Sequence, residues 1–186
     1  MLSAGDKLQP TETVERPIQF ATPMVRAILD GSKDQTRRVI LPEPQAVRRI
    51  NGQRQAMRND QIINCKFGQV GDRLWLRERW AMQSDGKHER TIFAADESNA
   101  NVRWRPSYMM PRSACRIILE ISSLRVERLC NITRDDARRE GCQDDRRFKD
   151  PIDWFHELWD SLAHPQHKWS ANPWVWVIGF DVIPNR

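Results

Sequence analysis

The spacing of apolar positions divides the chain into segments of different character. Thr22 followed by Pro23 predicts a helix start with a capping hydroxyl and a first-turn proline. Met24, Val25, Ile28 and Leu29 then form one apolar face, and Gly31 supplies a left-handed stop. From Gly71 onward Leu74 and Leu76 alternate with Arg73, Trp75 and Arg77, the period of a half-buried strand. A short strand is predicted at 91–95 and a loop at 104–107. Ile117, Leu119 and Ile121, then Leu124 and Val126, give two further alternating runs. Thr133 with Asp136 three residues on resembles a capping box, and Gly141 closes a short helix with Arg134, Arg138 and Arg139 outward. Asp150-Pro151 opens another helix, with Ile152, Phe155, Leu158, Trp159 and Leu162 at helical spacing. Residues 174–183 are apolar on both faces, the mark of a central strand covered on two sides.

Two segments lack a period. Residues 1–16 are polar and read as a leader ordered only by docking, ahead of a single domain over 17–186. The stretch 41–63, with Pro42, Pro44 and Gly52, reads as an irregular excursion. Several strands with two or three short helices between them, and no repeating strand–helix unit, predict an α+β fold built on a small β-barrel.

Composition narrows the function classes. No apolar run approaches a bilayer span and no basic start precedes an apolar stretch, so a cytoplasmic protein without a membrane partner is expected. Cys65, Cys115, Cys130 and Cys142 lie far apart without a CxxC pair, which points to reduced thiols; neither a metal site nor a cofactor is expected. The net charge is +5, and 24 of the 30 basic residues are Arg, the cation that grips phosphate and carboxylate bidentately and stacks on bases. A polyanionic partner fits that balance.

At Gly31-Ser32-Lys33-Asp34-Gln35-Thr36-Arg37-Arg38 the sequence resembles the signature loop of the ASCH domain, a branch of the PUA-like superfamily. The blocks 71–78, 110–114, 137–141 and 172–178 are similar, in order, to those of ASCH proteins encoded by phages and prophages, so the resemblance spans 17–183. It implies a PUA-like β-barrel with a cleft beside the first helix, and recognition of RNA, another nucleic acid, a nucleoside or a modified base. Small ASCH amidohydrolases acting on N4-acetylcytidine use a Lys, a Thr three residues later and a Glu after the barrel strands. By motif these roles fall on Lys33, Thr36 and Glu140, as catalytic residues of an amidohydrolase or, as reported for other family members, a ribonuclease.

The chemistry is coherent: a lysine of lowered pKa could deprotonate a threonine that attacks an acyl carbon, with the glutamate orienting the amine. On a helical turn after Gly31, Lys33 and Thr36 converge; on a strand they would point to opposite faces. For nucleic-acid binding, Arg37, Arg38, Arg73, Arg77 and Arg112 would supply phosphate contacts, and Trp75 and Trp104 could stack on bases. A third reading makes the chain a protein-interaction module with 41–63 as its surface.

Overall fold

The computed structural model describes residues 13–84, 86–96, 101–142 and 147–185. In chain order the elements are β1 (Glu15–Gln19), α1 (Thr22–Leu29), β2 (Gln35–Val39), β3 (Ala46–Ile50), β4 (Gln53–Arg58), β5 (Gln61–Ile62), β6 (Arg73–Arg77), β7 (Trp80–Ser84), β8 (Glu89–Phe93), β9 (Ile118–Arg128), α2 (Arg134–Arg139), α3 (Pro151–Leu162) and β10 (Trp174–Ile183). The fold is α+β.

The main sheet has five strands in the order β1-β6-β9-β10-β2, with β1 parallel to β6 and the other pairs antiparallel. Instead of a closed barrel the sheet is open, with β1 and β2 as its edges. In a flat sheet those edges would stand about 19 Å apart, at ~4.8 Å per strand. Here Arg38 on β2 donates from Nη2 to the carbonyl oxygen of Gln19 on β1 at 2.7 Å, so the sheet curls until its edges nearly meet. A seam is left between them.

The curled sheet encloses Ile18, Leu74, Leu119, Ile121, Trp176, Ile178 and Phe180, capped by Met24, Val25 and Ile28 of α1. On the opposite face of β10, Val175 and Val177 pack with Ala137 and Phe155 from α2 and α3. Two-sided burial is why this strand reads as continuously apolar. The runs at 117–121 and 124–126 are one strand, β9, whose apolar phase flips at a bulge. Gly179 pairs with Ser123 and Phe180 with Ile121, leaving Ser122 unpaired. A Cβ at Gly179 would meet Ser123 Oγ, so a side chain there would have to displace that hydroxyl.

Three expectations change. The described part of the polar leader contributes Glu15 and Arg16 to β1, anchored by the pairing with Arg73 and Leu74. Residues 1–12 lie outside the described residues. The stretch 41–63 holds an antiparallel sheet, β3-β4-β5, that covers the core through Ala56 and leaves most of its other side chains in water, which erased the sequence period. Thr22 is the first helical residue instead of the cap; Ala21 takes the cap position without a side-chain bond. The capping box of α2 forms as expected, Thr133 Oγ1 accepting from Asp136 N–H at 3.1 Å.

Candidate functional site

Local signals bring three segments together at the seam. After α1, Gly31 turns the chain at φ +79°, and Lys33 pairs by backbone with Glu140. Glu140 is the C-terminal cap of α2, and the next residue, Gly141, has φ +101°. A Cβ at Gly141 would sit 3.2 Å from Ala27 Cβ and 3.4 Å from Lys33 Cβ, so glycine lets α2 end against α1. Thr36 lies in β2 instead of on a helical turn. It reaches the same cavity as Lys33 because β2 is an edge strand, and the cavity wraps around that edge to take side chains from both faces.

Lys33, Arg37 and Glu140 are all buried. Lys33 Nζ donates to Glu140 Oε2 at 2.9 Å, to the Glu140 carbonyl oxygen at 2.8 Å and to the Gln35 carbonyl oxygen at 2.7 Å. Arg37 Nη1 donates to Glu140 Oε1 at 3.0 Å, while its Nη2 lies 3.0 Å from Asp136 Oδ2 and 3.5 Å from Glu127 Oε2. Arg125 closes the network from outside, 3.0 Å from both Asp136 Oδ1 and Glu127 Oε1. Lys33, Arg37 and Arg125 thus face Glu127, Asp136 and Glu140, and the charges balance.

Burial pulls the Lys33 pKa below its usual value against the opposing pull of Glu140, and nearby Arg38 and Arg37 add to the depression. The geometry still defines its state: three acceptors surround Nζ, which suits the three hydrogens of an ammonium, whereas a neutral amine would aim its lone pair at an oxygen. Burial also raises the Asp136 pKa, but the Gln35 hydrogen bond, the charge of Arg37 and the Arg125 hydrogen bond outweigh it and hold the group well below the usual carboxylate range.

Beside this network lies a cavity of about 220 Å³. Its walls are Phe20 and Met24 on one side and Phe155, Leu158 and Trp159 of α3 on the other, with Thr36 and Arg38 between. Among the described residues the Thr36 hydroxyl has no hydrogen-bond partner and Arg38 forms no ion pair. Arg38 Nε is buried without a partner, and its guanidinium lies 5.0 Å from the Phe20 ring centroid and 5.9 Å from that of Phe67. Burial lowers its pKa, opposed by Glu140. Leu162, His164 and His167 form the mouth, where Leu162 is 65% exposed.

Of the residues singled out in the sequence, Lys33, Thr36, Arg37, Arg38 and Glu140 line this cavity. The others sit elsewhere. Arg37 is held inside the network by three carboxylates, and its one donor without a partner, Nε, is buried. Arg112 grips Glu15 through two hydrogen bonds, at 2.6 and 3.0 Å. Trp75 is buried against Trp80, Met110 and Ile118, and Arg77 lies 4.3 Å from its ring centroid. Arg73 is exposed at the start of β6 opposite Glu15, and Trp104 is half-buried outside the cavity. Phe20 and the α3 face were missed as site residues because apolar spacing reads identically for a core and for a cavity wall. None of the four cysteines is in a disulfide, and among the described residues no three His, Cys, Asp or Glu side chains gather as a metal-ion set. Compared with family models, curated proteins and solved structures, the chain matches none.

Proposed function

We propose that the chain is an ASCH-type, PUA-like domain whose seam cavity binds a modified nucleobase or the nucleoside carrying it. One observation carries this reading: a small cavity with aromatic walls holds a hydroxyl without a hydrogen-bond partner among the described residues and a guanidinium that forms no ion pair and spends one amine on the Gln19 carbonyl. At about 220 Å³ it is smaller than the ~300–1,000 Å³ of drug-sized sites, which suits one base and its sugar. Phe20, Phe155 and Trp159 offer surfaces for a flat ring, and Thr36 and Arg38 offer polar contacts to its edge. The candidate phosphate and stacking residues Arg37, Arg77, Arg112 and Trp75 are engaged within the fold, which favours a compact ligand over an extended strand laid across them. Titrating N4-acetylcytidine by calorimetry tests it. Saturable binding, weakened about 3–10-fold in Thr36→Ala by loss of one hydrogen bond, is expected; absence of binding by N4-acetylcytidine and by cytidine overturns it.

A second reading, amide hydrolysis, is favoured by Lys33, Thr36 and Glu140 bordering one cavity. In it neutral Lys33 takes the Thr36 hydroxyl proton and the oxygen attacks the acyl carbon. The C–N bond then breaks, Lys33 returns the proton to the departing amine, and water hydrolyses the acyl-threonine. Binding stands first because the Nζ hydrogens are spent on three acceptors, none of them Thr36. Release of cytidine by the wild type, abolished in both Thr36→Ala and Lys33→Ala, would reverse the ranking.

A further inference from the structure

The seam continues past the nucleobase cavity into a second space of about 650 Å³, and the two share Gln19, Arg38, Val39 and His167. Arg16 and Lys66 also line this second groove, and no carboxylate does. Arg16 is neutralised by Asp72 at 2.8 Å. Arg38 and Lys66 have no ion-pair partner among the described residues, and Lys66 is exposed, its Nζ 5.1 Å from the Phe67 ring centroid. Neither ring nitrogen of His167 has a hydrogen-bond partner among the described residues. Arg38 lines both spaces.

Among the described residues Arg38 forms no ion pair and its Nη1 makes no hydrogen bond; in a groove without a carboxylate that sets it for an anion from outside. We infer that Arg38, Lys66 and His167 form a phosphate site, and that the ligand is a nucleotide with its base in the first cavity and its phosphoryl group in the second. The base placement rests on the reading proposed above. Arg38 then serves both parts of the ligand, with the Phe20 and Phe67 rings beside its guanidinium. The phosphate belongs either to a free nucleotide or to a phosphodiester of a single strand, and the same three side chains meet both.

The test compares N4-acetylcytidine with its 5′-monophosphate on wild type and Lys66→Ala, an exposed substitution that leaves the core untouched. The nucleotide should bind about 10–100-fold more tightly at low salt, an advantage that shrinks as salt rises. Lys66→Ala should lose most of that advantage and keep its affinity for the nucleoside. Equal affinities for nucleoside and nucleotide overturn the phosphate site and leave the base cavity standing. Pyrophosphate alone reads the anion site without the base: binding sensitive to Lys66→Ala alongside silent nucleosides keeps the phosphate site and removes the base reading. Pyrophosphate silence together with no nucleotide advantage overturns the site. A trinucleotide carrying the base centrally separates the sources. Tighter binding than the monophosphate assigns a strand, and no gain assigns the free nucleotide.

Discussion

Two buried glutamates show what distinguishes a site from a piece of scaffold. Glu78 is 1% exposed and Glu140 is 3% exposed, and each is gripped by arginine. Arg116 holds Glu78 at 2.8 and 3.1 Å and Asp96 at 2.6 and 3.1 Å, with its guanidinium 4.1 Å from the Phe93 ring centroid. That clamp opens to water through Arg116 and Asp96 and borders no cavity already described. Glu140 instead separates two buried cations, Lys33 and Arg37, beside a void where Thr36 and Arg38 keep donors to spare. A buried ion pair on its own holds elements together. A binding site needs, in addition, space and polar groups the fold does not satisfy.

The comparison is broken most directly by deleting the acids. Glu140→Ala leaves Lys33 and Arg37 without their shared carboxylate and should cost about 3–5 kcal/mol, read as a shift in urea midpoint. Glu78→Ala should cost about 1–3 kcal/mol, because Arg116 keeps Asp96 and contact with water. Equal losses in the two variants would erase the distinction.

Titration sharpens it. Burial raises the Glu78 pKa above 4.5, with Arg116 pulling the other way. The folded state therefore holds that proton more tightly than the unfolded chain. The stabilisation is complete below pH 4.5 and is lost as pH rises through the raised value. Asp136 has the opposite sign: its pKa lies below 3.8, so its contribution is present above pH 3.8 and lost as pH falls through the lowered value. Urea midpoints measured across pH 3–7 should show wild type losing ground to Glu78→Gln as pH rises, and the advantage over Asp136→Asn shrinking in acid. The smallest effect is expected from Leu162→Ala at the cavity mouth, within about 0.5 kcal/mol in stability because the side chain is already in water. It should weaken nucleoside binding a few-fold by removing apolar wall.

Much of the scaffold was legible in local pattern. Pro23 and Gly31 bracket α1, Thr133 and Asp136 start α2, Asp150 and Pro151 start α3, and the doubly apolar run from Trp174 is β10 between β9 and β2. Lys33, Thr36 and Glu140 were brought together by motif, and they do share a cavity. The sheet at 46–62 was not legible, since strands that bury few side chains carry no alternation. Nor was the role of Arg37, because its three carboxylates come from positions 127, 136 and 140.

By itself the sequence determined the elements whose hydrogen bonds and periodicity are local: capped helices, alternating strands, and the glycines that must turn with positive φ. Tertiary structure alone decided that the sheet stays open, that its edges meet through Arg38 and Gln19, and that Arg37 enters the carboxylate network while Arg38 does not. Closure and charge pairing depend on groups brought together from distant parts of the chain, and short-range spacing carries no record of those distances.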